Sequence, residues 1–323
     1  MKSINDYEMP SILRDFLNYM QTIKGKSVNT IQVYFYDLRV FLRFLKVHRN
    51  IEKNVDEFDK IDITDVDIDL IKSVTLSDLY SFMSFVSNSR DNSAHARARK
   101  VASLKSFFNY LTNKAKLLDV NPASELESPK IVKRLPRYLN VQESKQLLES
   151  VSGEYSERDF AIITLFLNCG LRLSELVGIN INNIRNETLT VIGKGDKERM
   201  IPLNKACMDA INSYLSVRKV DGVKDKNALF LSERKQRISK VTVQHIVKKF
   251  IKLSGLDPNR YSTHKLRHTA ATLMYKYGNV DIRALQELLG HESIATTEIY
   301  THLDRDQLKD AVEKNPLSSF TRK

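Results

Sequence analysis

The sequence predicts a mainly α-helical protein of two domains. A helical N-terminal domain covers residues 1–126, a basic linker covers 127–139, and residues 140–323 form a mixed domain in which helices surround a small β-sheet. Three observations predict this. Apolar residues recur at helix spacing through most of the first 115 positions. A basic stretch with two prolines then interrupts the pattern. Beyond it the helical pattern resumes, broken by one β-branched run and a glycine turn. A length of 323 residues accommodates two sizeable cores, and 42% apolar with 28% charged residues is ordinary for a globular protein.

In the first domain, Ile12, Phe16, Leu17, Met20 and Ile23 form the stripe of a first helix. A second starts at Ser27, with Val33, Leu38, Phe41, Leu42 and Leu45 inward. Glu52 to Asp69 holds eight carboxylates and two lysines; phosphates would repel it, so it reads as a loop away from any polyanion. A third helix begins near Thr75. A fourth runs from about Ala94 to Lys114, with Val101, Leu104, Phe107, Phe108 and Leu111 inward. Its other positions carry Arg97, Arg99, Lys100 and Lys105, accompanied by Ser93, His95, Ser103 and Ser106. Cations beside small hydroxyls suit phosphate contacts and, equally, a solvated face.

Asn121-Pro122 ends that pattern. Pro129 and Pro136 deny helix to the linker, while Lys130, Lys133, Arg134 and Arg137 make it basic enough to cross a nucleic-acid backbone. Asn140 and Glu143 then form a capping-box pattern. Helices are expected near 141–151, 156–169, 173–178, 204–218, 239–254, 263–277, 280–289, 293–299 and 304–313. Residues 188–192 and 198–203 read as paired strands about a Gly193-Lys-Gly195 turn.

The net charge of +12 suits a polyanionic partner, although a solubilising surface has the same sign. Both halves share the excess: residues 1–139 carry 22 Lys and Arg against 17 Asp and Glu, and the remainder 29 against 22. Two cysteines, Cys169 and Cys207, make a disulfide framework improbable and suit a reducing cytoplasm. No signal segment is recognised, and the apolar run Phe160–Leu171 is too short for a bilayer, so no membrane anchor is expected.

Four segments in the second half group cations with one phenol. Arg172 follows Gly170 at a helix start, with Glu175 three positions on; alone, this is also an ordinary surface pair. Lys194 lies at the tip of the glycine turn. His264, Arg267 and His268 share one helical face, where three cationic groups would repel one another without an anion between them. A metal reading of the histidine pair is weak, because Lys265 stands where a metalloprotease motif needs glutamate. Gly290 sits at a left-handed helix end and presents His291 just beyond it. Tyr300 lies nine residues after His291; its phenol, with an ordinary pKa of about 10, needs nearby cations to attack anything. Cutting a phosphodiester without metal needs such cations on the non-bridging oxygens, a nucleophile in line and an acid for the leaving oxygen.

In order and spacing these segments, Gly170-Leu-Arg172-Leu-Ser-Glu175, Gly193-Lys194-Gly195, His264-Lys-Leu-Arg267-His268, Leu289-Gly-His291 and Tyr300-Thr-His302, resemble the tyrosine recombinase (phage integrase) family, in particular its short Xer-type members. The resemblance implies a SAM-like helical core-binding domain and a tyrosine-recombinase catalytic domain. It implies that Arg172 and Arg267 clamp the scissile phosphate, with His264 and His291 adding donors. Lys194 would then be the general acid and Tyr300 the nucleophile of a 3′-phosphotyrosine intermediate, with Glu175 and His268 supporting them. It also makes Arg97, Arg99, Lys100, Lys105, Lys133 and Arg134 contacts to DNA.

No metal or other cofactor is implied, because the covalent intermediate conserves bond energy. The implied partners are a double-stranded DNA recombination site and a homo- or hetero-tetramer with a second recombinase. Strands would exchange through a Holliday junction, and a helix at 304–314 would dock on a neighbouring protomer. The implied role is chromosome or plasmid dimer resolution; the alternative is an integrase or excisionase of a mobile element, which often adds an N-terminal arm-binding domain. A topoisomerase of type IB would share the pocket without the tail helix. The acidic segment 52–69 is longer than the family pattern.

Overall fold

The computed structural model describes residues 7–52, 57–131, 137–193, 197–278, 280–290 and 297. Lys133, Arg134, Lys194, His291, Tyr300 and the helices expected at 293–299 and 304–314, Thr297 aside, lie outside the described residues. The chain divides into two compact units, Met1–Lys133 and Arg134–Lys323.

The first unit is helical: α1 (Ser11–Thr22), α2 (Val28–His48), α3 (Ile68–Lys72), α4 (Leu76–Asn88) and α5 (Ala94–Asn113). Polar side chains start several of them. Ser27 accepts the Thr30 N–H at the head of α2, and Thr75 and Asp78 form a reciprocal capping box on α4. Phe16, Phe35, Phe41, Phe82, Phe107 and Phe108 fill the centre. Phe41 meets Phe82 edge-on at 5.2 Å between ring centroids, a preferred aromatic arrangement.

The acidic segment is held to α2 rather than left as a simple loop. Ile61, Ile63 and Val66 are buried, Arg43 donates to the Ile61 carbonyl at 2.9 Å, and Lys46 reaches Asp65 at 2.9 Å. The one-turn helix α3 at its end, capped by Asp67 on the Leu70 N–H at 2.8 Å, was not expected. The missed signal was apolar Ile61, Ile63 and Val66 spaced among the aspartates.

Lys100 requires a correction. Its ammonium is buried, 2.8 Å from Asp37, which also accepts from Arg99 at 2.5 Å and from the Ser103 hydroxyl at 2.9 Å. A buried carboxylate needs such partners, so Lys100 and Ser103 bind α5 to α2 and are not available to DNA. Arg99 stays largely exposed, while Arg97 donates to Ser87 and Lys105 to the Ser124 carbonyl from half-buried positions.

In the second unit the helices are α6 (Val141–Glu149), α7 (Ser156–Cys169), α8 (Leu173–Gly178), α9 (Lys205–Val217), α10 (Lys240–Leu253), α11 (Thr263–Tyr277) and α12 (Ile282–Leu289). The expected capping box on α6 is present, with Asn140 and Glu143 exchanging backbone hydrogen bonds at 2.8 Å. Helix α7 is buried nearly all round, as its unbroken apolar run requires, and packs against α9 and α11. Cys169 and Cys207 are buried free thiols on α7 and α9 with Sγ atoms 3.7 Å apart. Leu139, placed within the linker by sequence, belongs to this core and donates its N–H to Thr269 at 2.9 Å.

The sheet has the order β1 (Ile184–Arg185), β2 (Thr188–Ile192), β3 (Glu198–Pro202), all antiparallel. The β2–β3 pair matches the sequence expectation; the two-residue β1 was too short to carry a period. In β3, Arg199 and Ile201 lie on the inward face by strand alternation.

Candidate active site

Gly170 builds the first wall. It closes α7 in the left-handed conformation, φ 60°, and a Cβ there would lie 2.7 Å from Leu289 Cδ2. Only glycine permits both the turn and the approach of α12. The turn buries Leu171 and brings Arg172 to the N-cap of α8, with its side chain 32% exposed. Its backbone N–H and its Nη1 each donate to Glu175 at 2.7 Å, and its Nη2 donates to the Gly290 carbonyl.

Glu175 is the anchor, with only 1% of its side chain exposed. Besides Arg172, it accepts a two-pronged contact from Arg199 at 2.6 and 2.9 Å, and Arg267 Nη1 lies 3.8 Å away. Burial alone would push its carboxyl up; the hydrogen bonds from Arg199 and from the Arg172 N–H outweigh that and hold it at about 2. Arg267, 5% exposed on α11, donates to the carbonyls of Gly170 and Leu289, both at 2.7 Å. Helix ends thus supply carbonyl acceptors for the arginines that the single carboxylate does not satisfy.

His264 lies one turn before Arg267, with its Nε2 3.0 Å from His268 Nε2. Burial, then the charges of Arg267 and Lys265, push its pKa down, so the fold favours its neutral ring. The face shared by His264, Arg267 and His268 is graded: Arg267 is buried in the core, His268 is half-buried, and His264 is partly covered against its neighbours while one side opens to solvent.

A cleft of about 520 Å³ opens between α8, α10 and α11, lined by Leu171, Arg172, Ser174, Lys240, Thr263, His264 and Arg267. Two of these were not singled out from sequence: Lys240 at the start of α10, and Ser174. Lys240 reaches the arginines through the packing of α10 on α8, which no local pattern reveals, whereas Ser174 is simply two positions past Arg172. The other omission is Arg199. Its signal was readable: an arginine on the inward face of a strand beside Ile201 needs a carboxylate partner.

Chemically, three guanidiniums converge on one carboxylate, with a lysine and a histidine at the rim. Among the described residues these cations outnumber the carboxylate, so an anion seated in the cleft would be stabilised. A phosphate fits the donor set, because arginine's planar fork matches its oxygens. Of the positions predicted for the site, the structure brings together Arg172, Glu175, His264, Arg267 and His268.

Comparison with known proteins covers the same region. The model of the phage integrase family matches residues 137–307. Tyrosine recombinase XerC of Caldanaerobacter subterraneus subsp. tengcongensis is 62% identical over 309 residues, covering 96% of this chain and 88% of that protein. Tyrosine recombinase XerD of Listeria monocytogenes is 34% identical over 313 residues, covering 95% and 98%. Among solved structures, the XerH site-specific recombinase in its pre-cleavage complex with a difH substrate shares the fold. Its TM-score is 0.68 at 24% identity, over 94% of this chain and 84% of that one. Among the described residues of this chain, no helix is long and apolar enough to cross a membrane.

Proposed function

The chain belongs to the phage integrase family, as one of its Xer-type tyrosine recombinases, and from that premise we propose how its arginine cleft cuts and rejoins DNA. The protein is a site-specific recombinase; the roles given to individual residues are our reading. The observation that carries it is the convergence of Arg172, Arg199 and Arg267 on the single buried carboxylate of Glu175 beside an open cleft.

In this reading Arg172 and Arg267 hold the non-bridging oxygens of the scissile phosphate. A guanidinium has five N–H donors, and two of Arg172's are engaged by Glu175 and Gly290, so others face a ligand. His264 adds a further donor, and Lys240 at the rim neutralises an adjoining phosphate. Tyr300 Oη attacks phosphorus, the bond to the 5′-oxygen breaks, and Lys194 gives that oxygen its proton. The product is a 3′-phosphotyrosine and a free 5′-hydroxyl. Attack on the phosphotyrosine by a 5′-hydroxyl from the other site reverses these bonds and joins exchanged strands, first as a Holliday junction.

The neighbours of Lys194 and His291 support their assignment. A Cβ at Gly193 would lie 3.8 Å from Arg172 Nη1, and Gly290, the residue before His291, gives its carbonyl to Arg172. On the first unit, Arg97, Arg99 and Lys105 are the DNA contacts we retain, with Lys133 and Arg134 in the linker. The same reading takes the working assembly as four protomers on two DNA sites, of one gene product or two, linked by residues 304–314, and acting in the cytoplasm on chromosome or plasmid dimers.

Covalent trapping tests the mechanism. A duplex selected from genomic fragments by binding to this protein, nicked in the strand to be cleaved, is incubated with protein in excess chelator. Wild type forms an SDS-resistant complex; Tyr300→Phe binds the same duplex with a dissociation constant within about threefold and forms none, since only the attacking oxygen is lost. Trapping by the mutant removes Tyr300 as nucleophile.

A further inference from the structure

We propose that Arg199 is a positioning residue for recombination: a strut that ties Glu175, and through it Arg172 and Arg267, to strand β3 and the end of α12. The inference rests on the function proposed above.

Arg199 is more deeply placed than the clamp it supports, 11% exposed against 32% for Arg172, and it does not line the cleft. It therefore acts through other groups. Its Nη1 and Nη2 take the two oxygens of Glu175 as a fork, and its Nε donates to the Leu288 carbonyl at 2.9 Å. One planar group thus spans three elements: β3, which carries it; α8, which carries Glu175; and α12, whose last carbonyls also hold Arg172 and Arg267.

The room for this is made by Gly290. It takes φ 66°, and a Cβ there would sit 3.1 Å from Arg199 Cδ and 3.2 Å from Nη1. The same glycine serves two arginines: its missing side chain admits Arg199, and its carbonyl accepts from Arg172. Glu175 without Arg199 keeps the Arg172 contacts and the longer approach of Arg267, but loses the fork that fixes its plane. A lysine offers one point charge and cannot bridge Glu175 and Leu288 in that geometry. Because β3 begins four residues after Lys194 in the chain, the strut sets the spacing between the phosphate clamp and the strand that follows the general acid.

The test uses the full chain on the nicked duplex described above. Arg199→Gln slows single-turnover formation of the covalent complex about 100-fold, with the dissociation constant for DNA within about threefold. Arg199→Lys recovers only about a tenth of the lost rate, a graded response that checks against simple misfolding. Because Arg199 works through Glu175, the double variant Arg199→Gln/Glu175→Gln is within about threefold of Glu175→Gln alone. A wild-type cleavage rate in Arg199→Gln, or losses that multiply in the double variant, overturns the proposal.

A second measurement does not depend on cleavage. Carbon-13 titration of the Glu175 carboxyl in DNA-free protein moves from about 2 in wild type up by more than about one unit in Arg199→Gln. An unmoved titration overturns the strut. If it moves while wild-type protein traps no DNA, the strut stands and the functional reading is what fails.

Discussion

Asp37 in the first unit and Glu175 in the second are both buried carboxylates that gather several cations, and the two clusters do different work. Asp37 joins α2 to α5 through Lys100, Arg99 and the Ser103 hydroxyl. Glu175 receives three guanidiniums from α8, β3 and α11, and these also draw in carbonyls from the ends of α7 and α12. The first arrangement closes on itself and is a joint between helices. The second, among the described residues, carries more positive charge than its carboxylate balances and opens on a cleft, so it suits an anion. Burial of an ion pair thus says little about function. The excess of charge, and where it points, say more.

The sharpest way to break this comparison is to remove each carboxylate. Glu175→Ala is expected to lower covalent trapping at least about 1,000-fold, because the clamp loses its anchor, and to destabilise the fold by about 3–5 kcal/mol by leaving buried guanidiniums unpaired. Asp37→Asn should cost a similar amount in urea unfolding, since Lys100 is left buried. Its cleavage rate per bound complex should stay within about threefold of wild type. A comparable catalytic loss in both variants would erase the distinction drawn here.

A smaller effect is expected from pH. The Glu175 carboxyl sits at about 2 in the fold against an ordinary 4.5, so its contribution of about 3 kcal/mol is complete above pH 4.5 and disappears as pH falls through about 2. Acid unfolding followed by circular dichroism should show Glu175→Gln losing this part of its pH dependence. His264 has the opposite protonation preference: the fold favours its neutral ring, so acidification below its ordinary value works against the native state.

The smallest effect separates the basic residues of α5. Replacing Lys100 by Met should leave the salt dependence of DNA affinity unchanged. Replacing Lys105 by Ala should reduce its log–log slope by about one phosphate's worth. Equal slopes for wild type and both variants would remove Lys105 from the DNA surface.

Much of this was legible in the residues. The helix of α7 announced itself by its apolar run and closing Gly170, the start of α6 by Asn140 and Glu143, and the end of α12 by Gly290, which indeed adopts φ 66°. Such signals are local: a cap, a period or a left-handed turn needs only its immediate neighbours. Lys100 was misread because helix spacing places cations at outward positions without revealing that Asp37, sixty-three residues earlier, waits on the facing helix. Arg199 was passed over although strand alternation turned it inward.

What the sequence by itself determined, then, was the order of helices and strands among the described residues, and the family's segments of cationic residues. Each follows from short-range periodicity and chemistry. Only the tertiary structure decided which charges are spent on one another and which remain for a ligand. That outcome depends on distances between chain segments a hundred residues apart: Arg172 on Gly290, Arg267 on Gly170, Arg199 on Leu288. Electrostatic balance is a property of the packed cluster, and a list of arginines does not contain it.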